Sequence, residues 1–167
     1  MANFIDISGK SENENLNEDK EMNELFERLK LFEQNNFDYE IFTKTIQAGV
    51  TKHILDDKFT CYYGNEYFFF MIGYTEEEFG NELNSSIKHI VDENDISQLK
   101  KELDFCIKNN ISNFHMNFRV TRKEGYKLFF KTSVSVFKDE QTGEYHFYCV
   151  HTDITTSVIN EQIASRK

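Results

Sequence analysis

Few side chains in this sequence have the types and spacing that catalysis or metal binding requires. The three cysteines are far apart and match no CxxC or Cys/His zinc spacing; they are Cys61, Cys106 and Cys149. Each falls in an apolar or alternating segment, which favours buried free thiols. No nucleophile–base pair and no Gly-rich phosphate loop is visible. We therefore predict a chain that is not an enzyme and that binds no metal.

The acidic runs are better explained by local structure than by metal binding. Residues 56–57 are typical of a turn, and residues 76–78 and 92–95 suit the first turns of helices. The formal net charge of −10 opposes binding to nucleic-acid phosphates or to an anionic membrane. Without a signal peptide or a membrane-length apolar run, we expect no nucleic-acid partner, no membrane insertion and a reducing, cytoplasmic setting.

The hydrophobic pattern predicts a definite order of elements. Two short strands are followed by short helices, one longer helix and then three long strands of alternating pattern; the predicted strands are 50–55, 59–63, 113–122, 126–137 and 144–153. An amphipathic helix is predicted over residues 92–109. This order indicates an α+β fold with an antiparallel sheet. The last two strands carry apolar residues on both faces, so we expect the outer face to be covered by a flanking helix or by a partner subunit.

The segment 62–79 contains the strongest local signals. Asn65 is a suitable N-cap for a short helix over 66–72, which is apolar almost all round and is therefore expected to be buried. Gly73 offers the left-handed residue that ends a helix. Thr75 and Glu78 have the spacing of a capping box for the next helix.

The N-terminal region divides into two parts. Residues 1–18 are polar and charge-rich, which predicts a disordered or frayed arm, and residues 19–48 are predicted to form flanking helices. Apolar residues at helical spacing form a stripe in the first of these helices: Met22, Leu25, Phe26, Leu29 and Phe32. The stripe either packs on its own domain or pairs with a second copy in a homodimer. Two heptads are too short to decide between these alternatives.

Five short motifs in one order resemble the PAS family of sensory domains, over about residues 38–161. They are YGNEYF with Asn65, IGYTEEEF at 72–79, HIVDENDI at 89–96, FRVTRKEGYKLF at 118–129, and DIT at 153–155. Each motif alone is weak, and the five in register are specific. Two departures are Val91, where the family usually has proline, and Phe129, where it usually has tryptophan.

The resemblance implies a PAS fold, which is a five-stranded antiparallel sheet with helices on one face, and here an N-terminal flanking helix. It implies a sensory domain at 49–155, with the start of a C-terminal signalling helix at 156–167. Such domains control a tethered output domain, often a diguanylate cyclase or a histidine kinase, and often form homodimers. The relay residues would be Asp153, Ile154 and Thr155. We expect the chain to be a fragment of a longer signalling protein; the alternative is a standalone, ligand-free dimerisation or protein-interaction module.

The resemblance also implies a small cavity over the sheet. Its candidate lining residues are Met71, Ile72, Ile90, Leu99, Leu103, Phe118 and Val134. A small apolar ligand could bind there, or phenylalanine side chains could fill the space, and both alternatives remain open. Flavin is not expected, because the NCRFLQ-like segment of light-sensing relatives is absent. Haem is not expected either, because residues 92–109 contain no histidine; His89 lies just before them, and strand histidines are more often solvated or hydrogen-bonded.

Overall fold

The computed structural model describes residues 12–33 and 36–166. The elements in chain order are α1 (Glu12–Glu33), α2 (Asn36–Thr45), β1 (Gly49–Ile54), β2 (Cys61–Gly64), α3 (Glu66–Ile72), α4 (Glu76–Leu83), a 3₁₀ turn (Ile87–His89), α5 (Glu93–Asn109), β3 (Asn113–Thr121), β4 (Lys127–Lys138), β5 (Tyr145–Asp153) and α6 (Thr155–Ala164). The predicted α+β class and the predicted order of strands and helices are confirmed.

The five strands form one antiparallel sheet in the order β2-β1-β5-β4-β3. The first and last strands of the sequence therefore pair at its centre, where Gly49 lies opposite His151 and Thr51 lies opposite Cys149. Because side chains alternate along a strand, this register places Thr51, Cys149 and His151 on the same face of the sheet. That face is the inner one, which α3 and α5 cover.

The main core lies between this inner face and the helices. Leu99 and Leu103 of α5 and Val134 of β4 are fully buried, and Phe118 of β3 is 1% exposed. The helical repeat of apolar residues in α5 and the two-residue repeat of the strands thus meet at one interface, as their patterns predict.

The capping signals around α3 and α4 act as predicted. The Asn65 side chain accepts a hydrogen bond from the backbone N–H of Phe68, and Gly73 ends α3 with φ of 77°. Thr75 and Glu78 form a reciprocal capping box at the start of α4. One expectation was wrong: Phe70 of α3 is 67% exposed, because a single-layer helix on a sheet always turns one side to solvent.

The outer face of the sheet is covered by α1 of the same chain. Phe26 and Leu29 are each 3% exposed and pack in a second apolar cluster with Val150 of β5; Met22 and Leu25 lie at its edge. The intramolecular alternative therefore applies to these four stripe residues. The side chain of Phe32 lies outside the described residues.

The flanking helix is longer than its apolar stripe predicts. It begins at Glu12, not near residue 19, so residues 12–18 are helical although they were expected to belong to a frayed arm. Low hydrophobicity excludes a packed face but not helical backbone, since glutamate and lysine are good helix formers. Residues 1–11 lie outside the described part of the chain. Among the described residues, no helix combines the length and the apolar character that crossing a bilayer demands.

Candidate functional site

A row of polar side chains crosses the centre of the inner face, inside the apolar core. It consists of Thr51 and His53 of β1, Cys149 and His151 of β5, and Thr132 of β4. Thr51, His53, Cys149 and Thr132 have no exposed surface, and His151 is 3% exposed. Buried polar groups are costly unless they are hydrogen-bonded, so the partners of these five residues define the site.

The two histidines are linked by a chain of hydrogen bonds with a fixed direction. His53 Nδ1 lies 3.3 Å from the carbonyl oxygen of Phe59, which only accepts, so Nδ1 carries the proton of a neutral ring. His53 Nε2 is therefore the acceptor, and the Thr51 hydroxyl, 2.7 Å away, donates to it. His151 Nε2, 3.0 Å from Thr51 Oγ1, must then donate.

The chain of hydrogen bonds ends at Thr132 of β4 and has the Thr51 hydroxyl at its centre. With its proton on Nε2, His151 accepts through Nδ1 from the Thr132 hydroxyl at 2.8 Å. The Thr51 hydroxyl also lies close to the Cys149 thiol and lowers its pKa, against the larger effect of desolvation. A hydroxyl has one donor and two acceptor lone pairs, so Thr51 can donate to His53 and accept from His151 at the same time. A single oxygen thus lies among two imidazoles and a thiol.

Burial keeps all three of these groups uncharged. Desolvation lowers the pKa of His53 to about 4, against smaller opposing effects of the Phe59 carbonyl and Asp56. Desolvation, followed by the effect of the nearby His53, lowers the pKa of His151 to about 3. Desolvation raises the pKa of the Cys149 thiol well above its usual range. At neutral pH the site is therefore a neutral, hydrogen-bonded unit in an apolar surround.

Aromatic rings enclose the polar row. The imidazole of His53 stacks on Phe147 at a centroid distance of 4.6 Å and an interplanar angle of 7°. Around His151 lie Phe68 of α3 at 5.6 Å, Phe130 at 5.7 Å and Phe118 at 6.2 Å. Phe68 connects the site to the helix that covers it.

The predicted pocket residues are brought together by the fold. All seven belong to the main apolar cluster and none is more than 5% exposed; they are Met71, Ile72, Ile90, Leu99, Leu103, Phe118 and Val134. Phenylalanine side chains pack among them, including Phe68, Phe79, Phe130 and Phe147, each 2% exposed or less. This packing favours the alternative in which side chains fill the space.

Sequence reasoning missed the polar row itself. His53, Cys149 and His151 each present one ligand atom, and these atoms lie within 4.8 Å of one another, which is the arrangement of a candidate metal site. The two-residue spacing of Thr51 with His53, and of Cys149 with His151, was a signal that each pair shares a face. The pairing of β1 with β5, which brings the two pairs together, could not be inferred from the sequence.

The remaining histidines lie elsewhere. His89 is exposed in the 3₁₀ turn and does not point into the core. His115 lies on the outer face, where its ring contacts Ser133 at 2.8 Å and the Asp19 carboxylate of α1 at 3.1 Å. Burial lowers the pKa of His115, and Asp19 partly opposes this. His146 of β5 contacts the Tyr62 hydroxyl at 3.1 Å.

The predicted relay residues form a tight junction between β5, β4 and α6. The Asp153 carboxylate accepts hydrogen bonds from the backbone N–H of Thr155 at 2.9 Å and from its hydroxyl at 2.5 Å. The Thr155 hydroxyl in turn accepts from the backbone N–H of Phe129, and the N–H of Ile154 donates to the Phe129 carbonyl. The start of α6 is thus fixed to β4 as well as to its own strand.

A surface cleft joins this junction to the N-terminal helix. It has a volume of about 520 Å³ and lies between α1 and the outer face of the sheet. Thr152 and Ile154 line one side, and Met22 and Leu25 of α1 line another. The cleft therefore extends from α1 to Ile154, the residue that precedes α6.

Comparison with known proteins identifies a matching protein family. Residues 62–151 match the family model described as PAS fold. A search of curated proteins gives no significant match.

Several solved structures share the fold. A PAS domain of a protein from Colwellia psychrerythraea aligns with a TM-score of 0.57 and 14% identity, covering 75% of this chain and 98% of that one. The PAS domain of an HTR-like protein from Haloarcula marismortui gives 0.51 and 19%, with coverages of 77% and 98%. A PAS domain from a two-component sensor histidine kinase gives 0.53 and 13%, with coverages of 72% and 97%.

Proposed function

Because this chain belongs to the PAS family, we propose that it is a regulatory input domain that passes changes in its core to a tethered signalling output domain through α6. The proposed output is a histidine kinase or a diguanylate cyclase. A histidine kinase is the context of one structurally similar domain, the PAS domain from a two-component sensor histidine kinase. The three cysteines are free and buried, which suits the reducing cytoplasm where such enzymes work.

The observation that carries the proposal is the short path from the core to α6. His151 packs against Phe118 and Phe130 in the core, and Asp153, two residues later, accepts a hydrogen bond from the N–H of Thr155, the first residue of α6. Phe130 follows Phe129, whose backbone N–H and carbonyl hold Thr155 and Ile154. A repacking of the core that moves Phe130 or His151 therefore changes the support of α6 directly.

Such a relay is a population shift between two arrangements of the residues that hold the start of α6. A ligand or partner that binds one arrangement of the core more tightly raises the population of that arrangement. The shift in the equilibrium cannot exceed the difference between the ligand's affinities for the two arrangements. The Asp153 carboxylate is the group whose hydrogen bonds differ between the two arrangements of the junction.

The test is a fusion of this chain, through Lys167, to a histidine kinase output region without a sensor of its own. Val134→Ala removes two methyl groups from the fully buried core and serves as the input. We expect it to change the autophosphorylation rate of the fusion. In the Asp153→Ala background the same core substitution should leave the rate unchanged.

Asp139→Ala is the matched control. Asp139 also caps a turn next to β5, accepting from the N–H groups of Gln141 and Thr142, but it lies at the end of the β4–β5 hairpin remote from α6. The Asp139→Ala background should keep the full response to Val134→Ala. An equal response in the Asp153→Ala background would refute the relay, provided that circular dichroism shows each variant folded.

The second candidate is a ligand-free interaction module, and the packing of phenylalanines among the predicted pocket residues favours it. Native mass spectrometry of the purified chain separates the two cases. A co-purified small molecule supports a sensor, whereas a chain of unmodified mass that still regulates the fusion supports a ligand-free relay.

A homodimer remains a proposal and needs a surface other than the α1 stripe, which packs on its own sheet. Ile159 and Ile163 lie one turn apart on α6 and are 46% and 55% exposed. We assign the dimer contact to this pair, since apolar residues at i and i+4 form a stripe that a second helix can cover. Sedimentation of the Ile159→Glu variant should give a monomer if this assignment is right.

A further inference from the structure

We propose that His53, Cys149 and His151 form a three-coordinate copper(I) site in the core of the domain. The three side chains come from the two central strands, β1 and β5, and one ligand atom of each lies within 4.8 Å of the other two. The proposal rests on these side chains and not on the sensing function.

The Thr51 hydroxyl marks the position of the ion. It lies 2.7 Å from His53 Nε2 and 3.0 Å from His151 Nε2, and Thr51 is the direct cross-strand partner of Cys149. Rotation of Thr51 about its Cα–Cβ bond to another staggered position takes the oxygen out of this triangle.

The ligand atoms then need to move only a little. With metal–ligand bonds of about 2.0–2.3 Å in a trigonal arrangement, the ligand atoms lie about 3.4–3.8 Å apart. Distances that are now at most 4.8 Å therefore shorten by at most about 1.4 Å, which side-chain rotation can supply.

Charge balance selects copper(I) over a divalent ion. Cu⁺ with one thiolate and two neutral imidazoles is a neutral complex, whereas Zn²⁺ with the same ligands leaves a net positive charge among phenylalanine rings. An unpaired charge is costly in an apolar interior. Thiolate and imidazole are also suitable donors for copper(I), and the thiolate is the soft ligand that favours it.

The number of ligands points the same way. Structural zinc sites are closed by four ligands, and catalytic ones add water at the fourth position. Phe147 stacks on His53, and Phe68, Phe118 and Phe130 pack around His151, so the described side chains next to the trio are apolar on these sides. Three ligands in an apolar enclosure suit an ion that accepts three-coordination.

Binding is a substitution without oxidation or reduction. The Cys149 S–H bond breaks, an S–Cu bond forms, and one proton leaves to solvent, while copper stays in the +1 state. His53 already presents the lone pair of Nε2. His151 moves its proton from Nε2 to Nδ1, where the Thr132 hydroxyl, 2.8 Å away, turns to accept it.

The test is an anaerobic competition of the full chain against the chromogenic copper(I) chelator bicinchoninate, followed until absorbance is constant. We expect one Cu⁺ per chain. X-ray absorption of the wild-type complex should show one sulfur and two nitrogen ligands, a result that does not depend on any variant. Zn²⁺ added in equal amount should not displace the copper.

Matched variants locate the site. Cys149→Ser and His151→Gln should weaken copper binding by more than about 100-fold. Mutation of a residue that only supports a metal ligand costs up to about 100-fold in affinity, and loss of the ligand itself should cost more. Cys106→Ser, a buried thiol on α5, and His146→Gln, on the opposite face of β5, should bind like wild type. Thr51→Ala removes the hydroxyl at the centre but keeps all three ligands, so it should bind copper at least as tightly.

Any of four results would overturn the proposal, and a fifth would contradict it as well. The four are the absence of stoichiometric Cu⁺ binding, a ligand set other than one sulfur and two nitrogens, displacement by Zn²⁺, and undiminished binding in the Cys149→Ser variant. Loss of binding in the Thr51→Ala variant, with its fold intact by circular dichroism, would likewise contradict it. None of these results bears on the relay through Asp153, which the kinase fusion tests separately.

Discussion

Asn65 and Val50 hold each other through a reciprocal pair of hydrogen bonds. The side-chain oxygen of Asn65 accepts from the backbone N–H of Val50 at 2.8 Å, and the backbone N–H of Asn65 donates to the Val50 carbonyl at 3.0 Å. The Asn65 amide also donates to the carbonyls of Thr43 and Ala48. One buried side chain therefore joins α2, β1 and α3.

Asn65→Ala should strongly destabilise the domain. It leaves three backbone groups without their partner, the Val50 N–H and the Thr43 and Ala48 carbonyls, at about 1–3 kcal/mol each when buried, so we expect a loss of about 3 kcal/mol or more. Urea unfolding followed by circular dichroism measures this. Asn94→Ala, at an exposed position in the first turn of α5, is the control and should change stability by less than about 0.5 kcal/mol. Similar small effects for both would show that the Asn65 contacts are dispensable.

Gly64→Ala and Gly80→Ala should have opposite effects. A Cβ at Gly64 would lie 2.8 Å from the ring of Phe69 in α3, so the ring must move, at a cost of about 1–3 kcal/mol. A Cβ at Gly80, inside α4, meets only the Ser85 hydroxyl at 3.8 Å, and alanine should stabilise that helix by about 0.5–1 kcal/mol. Thermal melts of the two variants check the pair, and a stabilised Gly64→Ala variant would contradict the close approach of α3 to β2.

Phe26→Ala should lower stability by about 3–5 kcal/mol, because the side chain is 3% exposed against the sheet of its own chain. Phe105→Ala, 56% exposed on α5, should have almost no effect. In the Ile159→Glu background, which lacks the proposed α6 contact, the urea midpoint of the chain that keeps Phe26 should be the same at low and high protein concentration. A midpoint that rises with concentration would instead indicate that Phe26 lies between two copies.

Acid should destabilise the metal-free domain through His53 and His151. Their pKa values are lowered from 6.5 to about 4 and about 3, so between these values and 6.5 the unfolded chain binds protons that the folded chain does not. Stability therefore falls as the pH falls below 6.5, and these two groups add a slope of up to about 2.7 kcal/mol per pH unit.

The contribution of one histidine can be isolated. His53→Gln should reduce the slope by about 1.4 kcal/mol per pH unit, which is one proton, whereas Asn94→Ala, at an exposed position and without a titratable group, should leave it unchanged. Urea unfolding at a series of pH values from 7 to 5, in the presence of a chelator, measures how the free energy of unfolding depends on pH. Equal slopes in wild type and His53→Gln would show that His53 is not buried in its neutral form.

The parts of the fold that could be predicted are those determined within a few residues. Asn65, Gly73, the Thr75–Glu78 box and the Asp92 cap satisfy backbone groups one to four positions away, so their types alone locate the helix ends. The alternation of β4 and β5 likewise predicted that residues two positions apart share a face of the sheet.

The polar row could not be predicted in the same way, because it depends on a contact between distant strands. Thr51 and His151 are 100 residues apart, and nothing local to either indicates that β1 pairs with β5. The cover of the outer face was ambiguous for a similar reason: the Met22–Leu29 stripe fits its own sheet or a second copy equally well by pattern. Only the packing of Phe26 on Val150 distinguishes them.

The position of β5 between β1 and β4 also determines when the domain can fold during synthesis. Residues 49–138 can form two separate pairs, β1 with β2 and β3 with β4, but no hydrogen bonds join these pairs until residues 145–153 leave the ribosome. Contacts between segments so far apart in sequence form slowly. The strand that carries Cys149 and His151 is thus the one that unites the sheet, and the core site and the support for α6 are created in that same step.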